Sequence, residues 1–203
     1  LARFAEALGD DASFHWDGER LDFTGVAARL RTPPGPVLLA GTSFAFVHLL
    51  DATFQHLPLP TGSRIMQTGG FKGRSREIPA NRLRRDLATR FGLPITRVVA
   101  EYGMTELGSQ LYQPGVIDRT TVSYYRAPHW LRVQAVDPVS LEPVPAGEPG
   151  LARFVDLVNV DSAVALLTAD RIRMVDPTTI ELLGRQPGAL PRGCSLTLEH
   201  LLQ

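Results

Sequence analysis

Two stretches of this sequence carry residue types at spacings suited to chemistry on a phosphorylated ligand. Tyr102-Gly103-Met104-Thr105-Glu106 offers an aromatic face, a glycine, a hydroxyl and a carboxylate in close succession. The glycine lets backbone approach a ligand closely. Thr105 with nearby backbone amides can hold phosphate oxygens, and Glu106 can take magnesium, which prefers oxygen ligands. Tyr102 can lie flat against a base. Taken alone, such a short string is equally an ordinary turn. Earlier in the chain, Thr68-Gly69-Gly70-Phe71-Lys72-Gly73 suits a ring-shaped ligand lying along backbone. Lys72 can reach phosphate, although a solvated loop lysine is the simpler reading.

Further along, the Asp170 carboxylate suits a ribose diol; its plain alternative is an exposed turn or an ion pair with Arg171 or Arg173. Asp156 and Asp161 read as turn or capping residues. The five histidines share no metal-site spacing, and His48 reads as a core histidine. The one cysteine, Cys194, follows a Gly/Pro-containing stretch and neighbours Arg192, with Arg185 in the same segment. Positive neighbours favour thiolate, whereas a lone cysteine is also commonly a small buried hydrophobe. Both readings stand.

Elements must carry these residues. Pro33-Pro34-Gly35-Pro36 breaks the chain before an apolar run at 37–40. Gly41-Thr42-Ser43 offers a turn and helix cap ahead of an apolar helix from Phe44 to Phe54. Phe44, Phe46, Phe54 and Phe71 suit either an acyl pocket or plain core packing. A short strand at 64–67 precedes the glycines. Pro79 then opens the clearest helix, with Leu83, Leu87 and Phe91 on one stripe and Gly92 to close it. Arg82, Arg84, Arg85 and Arg90 lie off the stripe, as a solvated basic face would. Another strand at 98–100 ends at Glu101.

This alternation predicts an α/β fold: a mostly parallel sheet with flanking helices, followed by a smaller mainly β segment and a short C-terminal extension. The β segment is expected as a small curved sheet or barrel, with strands at 130–136 and 151–155. Both glycine-rich turns leave the carboxyl ends of parallel strands, where open sheets bind ligands. An exposed loop or hinge is expected over 185–192.

Bulk composition narrows the classes. The 203 residues are 44% hydrophobic, which argues against disorder. Twenty-one basic residues balance twenty-one acidic ones, so overall charge points to neither nucleic acid nor an anionic membrane. A single cysteine allows no intrachain disulfide, which favours a cytoplasmic setting. The apolar runs are too short for a membrane span, which takes about 20 residues. No signal peptide is evident. The chain opens on Leu1 within a helical pattern (Leu1, Phe4, Leu8), which suggests an upstream portion.

The ordered set of motifs resembles the adenylate-forming ligases. It comprises the stretches at 68–73 and 102–106, Gly147-Glu148-Pro149-Gly150-Leu151, Thr168-Ala169-Asp170, Gly184-Arg185 and Arg192-Gly193-Cys194-Ser195-Leu196. The forms Thr-Gly-Gly-Phe-Lys-Gly, Asp156-Leu157-Val158-Asn159 and Arg-Gly-Cys-Ser-Leu are most similar to the acyl-protein synthetase branch, over roughly 37–199. That resemblance implies ATP and Mg2+ as cofactors and a carboxylic acid, of the fatty-acid class, as substrate. It further implies an acyl reductase or other acyl-acceptor protein as partner. It implies Gly69 and Gly70 along adenine with Tyr102 against it, and Gly103 in the same loop. Thr105 would hold phosphate, Glu106 would bind magnesium, Asp170 would grip ribose, and Arg185 would assist at ribose and hinge. Cys194 would accept the acyl group as a thioester.

The implied organisation is a partial α/β adenylate-binding subdomain at 1–115, a β-rich subdomain at 116–183, and a hinge and C-terminal segment with the cysteine motif at 184–203. Two departures from the family pattern are expected to matter. The upstream Ser/Thr/Gly-rich phosphate loop is not matched, and no C-terminal lid lysine follows the cysteine motif. Ligation to coenzyme A or a carrier protein, and a non-catalytic nucleotide-binding subunit, are the alternative functions.

Overall fold

The computed structural model describes residues 11–16, 20–52, 56–69, 76, 78–114 and 124–189. The expected helix around Leu1, Phe4 and Leu8 lies outside these residues, as do Phe54, Gly70, Phe71, Lys72 and the whole cysteine motif with Cys194.

The first half alternates strand and helix as its breakers demand. Helix α1 (Phe23–Arg31) was not foreshadowed by the apolar pattern; Asp22 caps it by accepting the Gly25 amide at 2.8 Å, and Val26 and Leu30 are its buried residues. Strand β1 (Leu38–Thr42) leads directly into helix α2 (Ser43–Ala52). Strand β2 (Arg64–Thr68) precedes helix α3 (Ala80–Arg90), and a 3-10 turn at Ile95–Arg97 feeds β3 (Val98–Tyr102). The stripe on α3 behaves as its spacing requires: Leu83, Leu87 and Phe91 are fully buried. Gly92 turns the chain at φ +61°. Strands β1, β2 and β3 run parallel, and their carboxyl ends align through the Thr42–Thr68 and Thr68–Glu101 register pairs.

The basic residues of α3 do not form one solvated face. Arg82 is exposed and lies 3.6 Å from Asp86 across one turn. Arg84 instead is buried, and its guanidinium donates to the Val98 carbonyl at 3.0 Å and the Ile95 carbonyl at 3.3 Å. The Ile95 carbonyl also accepts the Val98 amide, so the guanidinium adds a second donor there and braces the 3-10 turn against β3. Burial holds the Arg84 pKa below its usual value.

Strands β4 (Leu111–Tyr112), β5 (Tyr124–Arg126), β6 (Leu131–Val136), β7 (Pro149–Asp156), β8 (Ala165–Asp176) and β9 (Thr179–Arg185) form the second half. They are joined edge to edge with the parallel strands in one nine-stranded sheet, ordered β1-β2-β3-β4-β5-β9-β8-β7-β6. From β3 onward every pairing is antiparallel. The β segment is therefore an extension of the first sheet and is not a closed barrel, because short β4 and β5 carry the hydrogen-bond ladder across.

Two hydrophobic cores flank that bridge. The first gathers Val47, Ile65, Leu83, Leu87, Phe91 and Val98 between helices and parallel strands. The second gathers Leu111, Leu131, Val133, Phe154, Ile172 and Ile180. β3 contributes to both, through Val98 and Ala100.

The glycines of the 147–151 motif have steric reasons of their own. Gly147 turns at φ +86°. A Cβ on Gly150 would stand 2.7 Å from the Val136 carbonyl oxygen and 2.8 Å from its nitrogen, so only glycine lets β7 lie against β6 there.

Candidate functional site

The carboxyl ends of β2 and β3 are tied together by polar side chains. The Thr68 hydroxyl donates to the Glu101 carboxylate, and burial raises the Glu101 pKa despite that bond. A buried Ser43, at the start of α2, donates to the Gly69 carbonyl at 2.6 Å. Gly69 itself sits at φ +65° with no described residue within 4 Å of a Cβ, so on that side its backbone is open to approach. Gly103 is the opposite case: a Cβ there would meet a Glu101 carboxylate oxygen at 2.4 Å. The strand end can turn over Glu101 because the side chain is missing.

Tyr102 is the hinge between the two halves. Its ring lies 6.0 Å from Tyr125, edge on, and 6.2 Å from Phe154. Its hydroxyl donates to Asp170 at 2.7 Å. In the sheet order β3 and β8 are four strands apart, which is about 19 Å in a flat sheet at ~4.8 Å per step. That is further than a tyrosine and an aspartate reach together, so the sheet curls to bring them into contact. Burial, and then the Asp170 charge, drive the Tyr102 pKa upward, which keeps the phenol a neutral donor. Burial likewise pushes the neighbouring Tyr125 up to about 12.

Asp170 is neither an exposed turn residue nor paired with its own neighbours. It lies within β8, and Arg185 approaches it at 3.4 Å from the cross-strand position on β9. Thr168 accepts the Asp170 amide at 3.2 Å and donates to the Ala152 carbonyl at 3.1 Å, which fixes the strand beneath the carboxylate. Arg173 pairs with Glu181 instead. Arg185 closes β9, so an irregular stretch begins only after it, where Gln186 donates to the Ala169 carbonyl at 2.7 Å.

Thr105 and Glu106 are both exposed at the tip of the β3–β4 connection, and the Thr105 hydroxyl donates to the Glu106 carboxylate at 3.1 Å. A hydroxyl and a carboxylate side by side suit a hard cation, and among the described residues no group of three acidic, cysteine or histidine side chains could hold one alone. Magnesium sites commonly have one or two carboxylates with the remaining ligands from phosphate and water. The donor set at Thr105 and Glu106 fits that pattern.

The structure thus brings Tyr102, Asp170 and Arg185 into one contact cluster, with Gly103, Thr105 and Glu106 on the adjoining loop and Gly69 across the strand ends. It shows no contact between Glu106 and Asp170. Phe46 packs in the first core; Phe44 is also buried, with its ring 5.4 Å from Trp16. His48 is half-buried beside Phe44 at 6.5 Å.

Asp156 keeps its expected turn role, accepting the Val158 amide two residues on at 3.2 Å, and adds a second one. It is 0% exposed and accepts the Ser109 amide and hydroxyl, each at 2.8 Å. A signal was present in the sequence. The β7 alternation places 150, 152 and 154 inward, and Asp156 falls in the same phase. An inward carboxylate must be hydrogen-bonded.

The model of the family described as Acyl-protein synthetase, LuxE, matches residues 30–203. A long-chain-fatty-acid–luciferin-component ligase of Aliivibrio fischeri is 24% identical over 207 residues, covering 94% of this chain and 53% of that protein. The chain thus spans about half the length of this curated relative. In three dimensions it resembles ATP-bound MatB from Rhodopseudomonas palustris, with TM-score 0.61 at 17% identity over 82% of this chain and 33% of the other. The anthranilate CoA ligase AuaEII, in complex with anthranoyl-AMP, gives TM-score 0.60 at 18% identity over 89% and 35%. These last two likenesses concern the fold. Among the described residues no helix is long and apolar enough to cross a membrane.

Proposed function

The chain belongs to the acyl-protein synthetase (LuxE) family, and from that premise we propose that it forms one wall of a site where ATP activates a carboxylic acid. The observation that carries this reading is the Tyr102–Asp170–Arg185 cluster beside the 103–106 loop, at the carboxyl ends of parallel strands. Asp170 would accept the ribose hydroxyls, with Arg185 beside it. Tyr102 and the backbone at Gly69 and Gly70 would frame the base. Thr105 would hold phosphate, and Glu106 would share magnesium, which offsets phosphate charge during attack.

In the first half-reaction an oxygen of the substrate carboxylate attacks the α-phosphorus of ATP. The new O–P bond gives an acyl-adenylate, and the bond to the β-phosphate oxygen breaks to release pyrophosphate. In the second, a thiolate attacks the acyl carbon, a thioester forms and AMP leaves. We assign that thiolate to Cys194, on the family resemblance and its basic neighbours. A fatty acid is the favoured substrate, because the curated relative is a long-chain-fatty-acid ligase. An acyl reductase or another acceptor protein would then receive the acyl group.

The test is intact-protein mass spectrometry after incubation with ATP, magnesium and a long-chain fatty acid. An acyl adduct that hydroxylamine releases and Cys194→Ala abolishes is expected. An adduct that persists in Cys194→Ala removes the assignment of that thiol. Acyl transfer to added coenzyme A, undiminished in the variant, points to the coenzyme A ligase alternative.

A further inference from the structure

The 103–110 loop is fastened at two points, Glu106 and Ser109, to the turn that follows β7. Asp156, fully buried, takes the Ser109 amide and hydroxyl at 2.8 Å each and the Val158 amide at 3.2 Å. The Ser109 hydroxyl in turn accepts the Trp130 indole N–H at 2.9 Å. Three residues along the turn, the Asn159 side-chain amide donates to the Glu106 carbonyl at 2.7 Å and to the Ala163 carbonyl at 2.9 Å. The loop lies flush on the turn: a Cβ on Gly108 would touch the Val158 and Asn159 backbone at 3.6 Å.

Among the described residues each donor to Asp156 is neutral, so its carboxyl group is buried there with no basic side chain against it. Burying a charge is unfavourable unless it is fully hydrogen-bonded, and apolar packing would hold a surface loop as well. What the carboxylate and amide supply is direction. They fix the backbone at Glu106 and three residues beyond it, so the Glu106 side chain springs from an anchored peptide. A preorganised oxygen ligand loses less freedom when it binds.

We propose that Asp156 and Asn159 are positioning residues, which clasp the 103–110 loop so that Thr105 and Glu106 meet magnesium and phosphate in one fixed geometry. This rests on the nucleotide reading of Glu106 given above. The clasp makes the magnesium-dependent part of nucleotide affinity a property of the β7–β8 turn.

The experiment titrates the 203-residue chain with ATP by calorimetry, with magnesium and with EDTA, for wild type, Asn159→Asp and Asp156→Asn. Backbone amide exchange is followed without nucleotide in the same three proteins. Asn159→Asp removes the amide donor at nearly constant size from an exposed turn, so it keeps the test open if the buried Asp156→Asn fails to fold. Exchange at 103–110 should quicken at least tenfold in Asn159→Asp, while β6, β7 and β8 keep their protection. Magnesium ATP should bind at least tenfold more weakly, with affinity in EDTA unchanged. A purely structural role would lower both affinities together and overturn the proposal. Unchanged loop exchange overturns the clasp, and faster exchange with unchanged magnesium ATP affinity overturns its positioning role. Failure of wild type to bind magnesium ATP would sink the nucleotide reading and the positioning role with it; the exchange data, taken without nucleotide, separate that result from failure of the clasp.

Discussion

The Tyr102 hydroxyl donates to Asp170 across 2.7 Å, joining the end of the last parallel strand to the middle of an antiparallel one. Arg185 holds the other carboxylate oxygen at 3.4 Å. Removing the hydroxyl with Tyr102→Phe should cost about 1.5–3 kcal/mol of stability, the range for a bond to a charged partner. Urea denaturation measures it. Asp170→Asn should lower ATP affinity at least tenfold in calorimetry, and an unaltered affinity would remove Asp170 from the site.

Glu101 gives a pH dependence with a definite sign. Burial raises its folded-state pKa, so folding favours the protonated form. Its contribution is therefore fully present below the unfolded value of about 4.3 and is lost as pH rises through the folded value. Glu101→Gln, still an acceptor for Thr68, should match wild type in urea midpoint near pH 4 and exceed it at pH 7. Equal midpoints at both pH values would show that the carboxylate is not penalised by burial.

Gly150→Ala should be among the most damaging small substitutions. The added methyl meets backbone atoms of Val136 at 2.7 and 2.8 Å, and a strand backbone cannot swing aside as a side chain can. A loss of about 3 kcal/mol is expected in thermal or urea unfolding, at the upper end for overpacking. Gly147→Ala, with open space around its Cβ but φ at +86°, should cost less, about 1 kcal/mol.

Arg84 serves the fold and not a ligand. Arg84→Leu removes the guanidinium bonds to the Val98 and Ile95 carbonyls and should cost about 1–3 kcal/mol. Arg85→Leu, at an exposed position on the same helix, should change stability by under about 0.5 kcal/mol. Equal losses from the two would refute the distinction.

Local pattern alone placed β1, α2, β2, α3 and β3, because each is bounded by proline or glycine and carries one clear apolar period. The stripe Leu83, Leu87 and Phe91 could face nothing but a core. The loop at 102–106 and the carboxylate at 170 were legible as residue types suited to a phosphorylated ligand, although each read equally as an ordinary turn until the ordered set of motifs was taken together. Their relation was not legible. Tyr102 and Asp170 are far apart in sequence, and their contact depends on the curl of a sheet whose strand order no local pattern encodes. The same holds for Arg84 and Asp156. An arginine off the apolar stripe reads as solvated until a carbonyl is seen beneath it, and an aspartate at a strand end reads as a turn residue, which Asp156 is, without showing that its carboxylate also takes the distant Ser109. Sequence determined which groups were available and which elements would carry them. Only the tertiary structure decided which met, because hydrogen bonds between distant strands are set by sheet order and curvature, and these arise from how the whole sheet packs onto its two cores.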